Sequence, residues 1–376
     1  MKDAEHPEDM IVTPWKVSGE VDYNRLIERF GTKPLTKDLL DRLERHAGHL
    51  HPHLRRGIFF SHRDLDWWID TYEEGRPVGL YTGRGPSGPV HLGHLLPWFF
   101  TKYLQDAFGA DLYFQMTDDE KFLLHPDLSL DETVGYTYEN ALDLIACGLD
   151  PERTHIISDV NDIAQLYRLA LRVARRVTYS TIKAIFGLTD SDNIGIIWFP
   201  AIQAVPCFLQ SVREGRDVAV LIPAAIDQDP YWRMTRDIAA RLGFPKPAQI
   251  HAKFLPGLGR GGKMSASMPE TAIFTIDPPE EAAKKVMNAF TGGRATVREQ
   301  RELGGDPSIC TIYAYYHHLF EEDDERLAEL ERECRAGNIT CGECKARLAE
   351  VVKQFLTDFQ RKRERARDQL DRFMLK

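Results

Sequence analysis

Short apolar runs separated by longer helical periods dominate the middle of the chain. The runs are rich in Val, Ile, Leu, Tyr or Phe and lie at 78–81, 110–116, 154–158, 194–199 and 218–223. Continuous apolar runs, as opposed to alternating ones, are typical of strands buried on both faces of a parallel sheet. Amphipathic helical patterns lie between them, at 94–108 and 162–187 for example. This β-α-β-α-β order predicts a doubly wound α/β domain, which binds ligands beyond the carboxyl ends of its strands.

Helical patterns flank this α/β region on both sides. Leucines recur at nearly helical spacing at positions 39, 40, 43 and 50, and a second helix is expected to begin at Ser61 or Asp64, since both are good N-caps. After Asp277 no strand series follows, and one apolar helical stripe occupies positions 348, 352, 355 and 359. We therefore expect an N-terminal helical extension (1–75), an α/β domain (76–277) and an all-α C-terminal domain (278–376). The last, basic helix is expected to pack back on the α/β domain.

Composition and charge narrow the class of protein. The 376 residues are 43% hydrophobic and 28% charged, as in ordinary globular proteins. The net charge of −9 excludes a protein that is basic throughout, although a local basic stripe for RNA remains compatible with it. No apolar run reaches about 18 residues and no basic segment precedes one, so we expect neither a membrane span nor a secretory signal. Six cysteines are too few for a disulfide scaffold, which favours the cytoplasm.

A glycine-rich segment, YTGRGPSGPVHLGH (81–94), links the first apolar run to the next helix. Its glycines (83, 85 and 88) allow the backbone to approach a phosphate or base closely. His91 and His94 are three residues apart, so both project from one side of the first helical turn. Two imidazoles there can stabilise charge on a phosphoryl oxygen. Taken alone, the same spacing also fits two ordinary helix histidines.

A second glycine-rich loop, PGLGRGGKMSASM (256–268), carries Lys263, Ser265 and Ser267. A mobile cation that closes over a polyphosphate stabilises in-line phosphoryl chemistry. By itself, such a segment is equally typical of a flexible surface loop with one exposed lysine.

The two motifs together resemble the paired HxGH and KMSxS signature of the class I aminoacyl-tRNA synthetases. Within that class, five segments are similar to the tryptophanyl-tRNA synthetases of archaea and eukaryotes: YTGRGPS, MTDDEK (116–121), FPAIQAVP (199–206), IPAAIDQDPY (222–231) and KMSAS (263–267). The similarity runs over nearly the whole chain. It implies a Rossmann-type catalytic domain, a homodimer, and a C-terminal domain that meets the anticodon. It also implies the reaction, in which ATP activates L-tryptophan and the tryptophanyl group passes to tRNA(Trp).

The resemblance assigns residues to an ATP site. The expected catalytic residues around the phosphates are His91, His94, Lys263, Ser265 and Ser267. The expected ATP contacts are Thr82, Gly83, Arg84, Pro86, Gly93 against the adenine, Asp227 on the ribose, and Met264. Mg²⁺ is expected on the phosphates, held by ATP itself and not by a dedicated metal site. One departure is Ala266, which stands where the general class I loop has a second lysine, so Arg260 is expected to share the role of Lys263.

The resemblance also assigns residues to a tryptophan pocket. Tyr81 and Gln115 are the expected partners of the indole N–H, and Glu120, Gln203 and Gln228 are expected around the α-amino group. An indole offers one donor on a large apolar body, so its pocket should be apolar with one or two acceptors. Phenylalanine would leave such an acceptor unpaired, which makes editing unnecessary. The alternative is that Tyr81 and Gln115 only satisfy backbone groups at strand ends.

Two further clusters have competing interpretations. Four arginines (168, 172, 175 and 176) form a basic helical stripe that fits either tRNA phosphates or a solvated or subunit-contact face. Cysteines 334, 341 and 344 hint at a metal, but Thr340 and Glu343 in the same segment form a capping box, so we expect no metal site.

Three other functions stay open at this point. A tyrosyl-tRNA synthetase would need a partner for a phenol hydroxyl, and a non-catalytic RNA-binding paralogue would be free to lose His91, His94 and Lys263. A small-molecule adenylyltransferase would share the HxGH turn but would not need the long helical C-terminal region.

Overall fold

The N-terminal segment combines helices with short strands. The computed structural model describes residues 11–12, 17–18, 22–266 and 268–376. The first elements are β1 (Ile11–Val12) and β2 (Val17–Ser18), which pair antiparallel, followed by α1 (Tyr23–Phe30), β3 (Lys33–Pro34), α2 (Lys37–Ala47), α3 (Pro52–Arg55), β4 (Phe59–Arg63) and α4 (Leu65–Glu73). Of the two expected caps, Asp64 precedes α4, whereas Ser61 lies inside β4. The extension is therefore helical, as predicted, but it also contributes strands that the apolar pattern did not reveal.

The central segment alternates strands and helices as predicted. Its elements are β5 (Val78–Arg84), α5 (Leu92–Phe108), β6 (Asp111–Met116), α6 (Asp118–Leu124), α7 (Leu130–Ala146), β7 (Thr154–Ser158), α8 (Ile163–Ala174), α9 (Tyr179–Phe186), α10 (Ile194–Gln203), α11 (Pro206–Glu214), β8 (Ala219–Ala225), α12 (Asp229–Leu242) and β9 (Ala248–Ala252). The C-terminal segment is helical, with α13 (Pro279–Asn288), α14 (Val297–Leu303), α15 (Thr311–Tyr315), α16 (Asp324–Arg335), α17 (Cys341–Ala366) and α18 (Leu370–Phe373). Short 3₁₀ turns lie at Ile226–Gln228, Pro269–Thr271, Pro307–Ile309 and Arg367–Gln369, and a π-helical turn lies at Tyr316–Phe320.

One mixed sheet organises the described part of the chain, with the strand order β3-β4-β9-β8-β5-β6-β7. The run from β9 to β7 is parallel, while β3 and β4 add an antiparallel edge. The chain moves outward from β5 through β6 to β7, then crosses to β8 on the other side of β5. Ligands bind at such a reversal of strand order, at the carboxyl ends of the strands. The predicted doubly wound α/β class is confirmed.

The two faces of the sheet carry separate apolar cores, because successive side chains of a strand point to opposite faces. Leu80, Leu112 and Leu221 pack on one face, with α4, α5, α7 and the C-terminal helices. Their neighbours Tyr81 and Tyr113 pack on the other, with α8 to α12.

The apolar run 194–199 was predicted as a strand, and that prediction is wrong: it begins helix α10. Asn193 caps this helix, since its side chain accepts from the backbone N–H of Ile196. Phe199 is buried whereas Ile194 is 85% exposed, so the run has an inside and an outside at helical spacing. A short run of apolar residues does not distinguish a strand from a helix by periodicity.

Strand β9 was missed because two polar residues interrupt its apolar pattern. Gln249 and His251 are fully buried, and His251 contacts Gln249 Oε1 at 2.9 Å and the Ser61 hydroxyl of β4 at 3.0 Å. Polar side chains are acceptable in a core when they satisfy one another. These contacts join the N-terminal strand β4 to the parallel sheet.

The end of the chain packs on the far edge of the same sheet. The apolar stripe of α17 is buried at Leu348, Val352 and Phe359, as predicted. Beyond it, α18 reaches β7, and the backbone N–H of Leu375 donates to the carbonyl of Ile156 at 2.8 Å. In the described residues, no single helix is long and apolar enough to cross a membrane, and only α10 and α11, which are bent by 46°, meet that test when joined.

Two neutral histidines join the N-terminal and C-terminal segments. His53 Nε2 donates to the carbonyl of His318, and His318 Nδ1 donates to the carbonyl of Ala314, both at 2.7 Å. Burial, together with a neighbouring imidazole, lowers the pKa of each ring to about 3. Asp324 at the start of α16 binds both Arg55 and Arg56, which adds a second contact between the N-terminal and C-terminal segments.

The neutral histidines predict a specific loss of stability in acid. Below pH 6.5 the unfolded chain protonates His53 whereas the folded chain does not, so the free energy of unfolding falls as the pH decreases toward 3. Between pH 7 and pH 5 we expect His53 to contribute about 2 kcal/mol of this loss. Urea unfolding of His53→Gln should show a correspondingly weaker pH dependence than the wild type. The exposed control His125→Gln should not, and an unchanged dependence in His53→Gln would contradict the prediction.

Candidate active site

A cavity of about 400 Å³ opens at the carboxyl ends of β5, β6 and β8, where the strand order reverses. Its volume is within the usual range for small-molecule sites. It is lined by nearly all of the predicted site residues, namely Tyr81, Thr82, Gly83, Arg84, His91, Gly93, His94, Gln115, Glu120, Gln203, Asp227, Gln228, Lys263, Met264 and Ser265. Pro86 is buried outside the lining, and Ser267 lies outside the described residues. The structure thus brings together residues from three strand ends and two loops.

The first glycine-rich segment places two imidazoles face to face. His91 is the N-cap of α5, and its ring stacks on that of His94 with 3.6 Å between the centroids. The backbone N–H of His91 donates to His94 Nδ1 at 3.2 Å. A β-carbon on Gly93 would lie 3.0 Å from Cε1 and 3.1 Å from Nδ1 of His91. The absence of a side chain at position 93 therefore lets the His91 ring lie over the helical turn.

Both imidazoles are uncharged near neutral pH. Burial, followed by the positive charge of Arg84, lowers the pKa of His91 to about 3 and that of His94 well below its usual value. Burial also lowers the pKa of Arg84, to about 10, so this side chain stays charged. The fixed positive charge of this part of the site thus belongs to Arg84, and the histidines act as polar groups beside it.

Arg84 is held by a residue that no sequence motif indicated. Its Nε donates to Asn140 Oδ1 on α7, its Nη1 lies 2.5 Å from His94 Nε2, and its Nη2 donates to the carbonyls of Gly88 and Pro89. Asn140 is buried and donates to the carbonyl of Gly88 at 3.1 Å. Because α7 is distant in sequence, no local signal in the chain points to Asn140.

The second glycine-rich loop brings Lys263 over the end of β8. Its Nζ lies 3.1 Å from Asp227 Oδ2 and 5.2 Å from the ring centroid of Phe254. Gly261 and Gly262 have φ angles of +73° and +78°, a region that favours glycine, so the loop turns there just before the lysine. Burial raises the pKa of Asp227, and the charge of Lys263 opposes this rise.

Two of the buried oxygen acceptors in the cavity, Asp227 Oδ1 and Gln203 Oε1, have no hydrogen-bond partner among the described residues. Asp227 lies at the predicted nucleotide side and Gln203 at the predicted amino-acid side. Leaving a buried acceptor unpaired is costly, so such atoms indicate where a polar ligand binds.

The predicted indole partners lie together at the closed end of the cavity. The Tyr81 hydroxyl is 2.5 Å from Gln115 Oε1 and 3.0 Å from the carbonyl of Gln203. Trp232 packs edge-on against the Tyr81 ring, with 5.1 Å between the centroids. Behind Gln115 lies Asp159, which follows β7. No motif indicated Asp159, although its place at a strand end is the one general signal that could have found it.

The remaining clusters are peripheral to this cavity. The capping box of Thr340 and Glu343 is present at the start of α17, as predicted. Across the described residues, no three His, Cys, Asp or Glu side chains are arranged to hold a metal ion. The four arginines of the basic stripe are exposed on or just after α8, and Arg172 also donates to the carbonyl of Leu242.

The chain is similar to known proteins over most of its length. Residues 73–357 match the family model of tRNA synthetases class I (W and Y). A tryptophan–tRNA ligase of Pyrobaculum aerophilum is 50% identical, covering 98% of each chain, and one of Thermococcus sibiricus is 52% identical, covering 96% of this chain and 93% of the relative.

Solved structures show the same relationship in three dimensions. The tryptophanyl-tRNA synthetase of Plasmodium falciparum is similar with a TM-score of 0.88 at 38% identity, over 94% of this chain and 97% of that chain. That of Giardia lamblia has a TM-score of 0.88 at 39% identity, over 94% and 96%. Agreement in sequence and fold over nearly the full length means that the chain belongs to the class I tRNA synthetases (W and Y).

Proposed function

We propose that this protein activates L-tryptophan with ATP to form tryptophanyl-adenylate and then transfers the tryptophanyl group to tRNA(Trp). One cavity carries the proposal. It has positive charge at one end and two hydrogen-bonding side chains among apolar groups at the other. Lys263 and Arg84 supply the charge, and Tyr81 and Gln115 supply the acceptors. The relatives named above as tryptophan–tRNA ligases support the same conclusion.

In the activation step, a carboxylate oxygen of the amino acid attacks the α-phosphorus of ATP. A new oxygen–phosphorus bond forms, the bond to the bridging oxygen breaks, and pyrophosphate leaves with the electron pair. No side chain has to form a covalent intermediate, so positioning and charge stabilisation provide the catalysis. Arg84, held by Asn140, gives a fixed positive charge, and Lys263 gives one on a loop. The neutral imidazoles of His91 and His94 add polar contacts without adding charge.

Two unpaired acceptors of the cavity suit the ribose of the nucleotide and the α-amino group of the amino acid. Asp227 Oδ1 can accept from a ribose hydroxyl, and Gln203 Oε1 can accept from the α-ammonium group of the amino acid. We propose that Mg²⁺ enters as part of the Mg–ATP substrate, because this ion is held in such sites largely through the phosphates of the substrate.

We also propose that the protein works as a homodimer in the cytoplasm and that residues 278–376 meet the anticodon. Helix α8, which follows β7, exposes apolar side chains at helical spacing: Ile163, Tyr167 and Leu171 are 40–49% exposed. Ile194 at the start of the neighbouring α10 is 85% exposed. A cluster of exposed apolar side chains is typical of a subunit contact.

Replacing the loop lysine tests the activation step. Lys263→Ala should lower tryptophan-dependent ATP–pyrophosphate exchange by about 10²–10³-fold, because a charge that stabilises the transition state is lost. The KM for tryptophan should change little. Lys246→Ala, on an exposed lysine outside the cavity, is the control and should match the wild type. Exchange supported by tyrosine and not by tryptophan in the wild type would overturn the proposed substrate.

A methyl group at position 93 tests the nucleotide side separately. Gly93→Ala pushes on the His91 ring, so kcat/KM for ATP should fall about tenfold. The matched control is Gly135→Ala on α7, where an added β-carbon meets nothing within 4 Å. Equal exchange kinetics for the two variants would show that the close packing at Gly93 does not matter for ATP.

A charge on the apolar face of α8 tests the dimer. Tyr167→Glu should convert the dimer to a monomer in light scattering at micromolar concentration, because a buried carboxylate opposes subunit association. Val297→Glu, at an exposed apolar position on α14, should leave the molar mass unchanged. A dimer that persists in Tyr167→Glu would contradict this choice of interface.

A further inference from the structure

Asp159 lies directly behind Gln115 and does not line the cavity. It follows β7, is 1% exposed, and its backbone N–H donates to the carbonyl of Met116 at 3.2 Å. Both of its carboxyl oxygens accept from the side-chain nitrogen of Gln115, at 2.8 and 2.9 Å. Gln115 is fully buried, so these contacts occupy its Nε2 away from solvent.

These contacts decide which end of the Gln115 amide faces the cavity. The oxygen and nitrogen ends of an amide have nearly the same shape, so packing alone does not choose between them. A carboxyl group that accepts at both oxygens holds the NH₂ end. The carbonyl end of Gln115 is therefore turned toward Tyr81, whose hydroxyl lies 2.5 Å from it. The reversed amide would present a donor to the cavity instead.

We propose that Asp159 is a positioning residue that fixes the amide of Gln115, so that the pocket presents hydrogen-bond acceptors to the indole N–H and rejects side chains without that donor. The inference rests on the proposed function, and it names the residue outside the pocket that sets the polarity inside it. The Tyr81 hydroxyl has a single hydrogen, which it can give to Gln115 or to the carbonyl of Gln203. The lone pairs left on Tyr81 and Gln115 then face the ligand.

A second carboxyl group, that of the half-buried Asp119, adjoins Asp159. Burial raises the pKa of both carboxyl groups, that of Asp119 to about 7. Repulsion from Asp119 and Asp118 adds to the rise for Asp159, whereas repulsion from Asp118 and Glu120 adds to it for Asp119. The Asp119–Asp159 pair therefore holds a proton near neutral pH. With that proton between the two carboxyl groups, lone pairs on Asp159 remain available to Gln115, so its role as acceptor is kept.

The matched substitution is Asp159→Asn, which keeps the size but can present NH₂ to Gln115 and so permits the reversed amide. Exchange kinetics are measured with tryptophan and with 3-benzothienylalanine, in which sulfur replaces the indole N–H. For tryptophan, kcat/KM should fall about 10–100-fold, mainly through KM, because an acceptor is replaced by a donor. For the analogue, kcat/KM should change by less than about threefold, since no donor is lost or opposed. The preference for tryptophan over the analogue should thus fall by the same 10–100-fold.

Two further variants complete the experiment. Asp162→Asn makes the same chemical change three residues along; its carboxylate accepts from the backbone of Ser158 and does not touch Gln115, so the preference should stay at the wild-type value. Asp159→Ser is the second variant if Asp159→Asn does not fold, because it frees Gln115 while removing the repulsion with Asp119. An equal loss with both substrates, or an unchanged preference, would overturn the inference. A wild type with no tryptophan-dependent exchange would overturn the proposed function itself, which distinguishes the two failures.

Discussion

The position of β5 between β6 and β8 is the constraint on which the site depends. The three strands are parallel, so their carboxyl ends meet at one edge, and the chain leaves that edge in opposite directions on the two sides of β5. Tyr81 and Arg84 come from β5, Gln115 from β6 and Asp227 from the turn after β8. Residues separated by more than one hundred positions therefore meet without any special connection, because the sheet register brings them together.

Within that frame, burial decides the charge of each group. The buried histidines of the first motif are neutral, while Arg84 and Lys263 remain the cations that line this side of the cavity. Each cation has a partner in the protein: Asn140 for Arg84, and Asp227 for Lys263. The two cations suit different tasks. Arg84 has a neutral partner and is preorganised, whereas Lys263 on its loop can exchange the carboxylate of Asp227 for an anionic ligand.

Features that lie within one short segment can be predicted from the sequence, whereas residues that act through distant contacts cannot. The glycine-rich motifs carry their own signal, because glycine, histidine and lysine occur at fixed spacing within one loop. Asn140 and Asp159 act through contacts with residues far away in sequence, so no spacing reveals them. The helix at 194–203 and the strand at 248–252 were misread for a related reason: the first is apolar on most sides, and the second contains the mutually bonded pair Gln249 and His251. In each case tertiary contacts, not local pattern, determine the structure.

The bond between Leu375 and Ile156 has a consequence for the integrity of the whole sheet. β7 is an edge strand, and an open edge of this kind recruits strands from other molecules. Met374 bridges to Ile156 in the parallel sense, so residues 374 and 375 cover the edge of β7 at Ile156. Removing residues 374–376 would uncover Ile156 on this edge strand and so open the protein to strand addition and self-association.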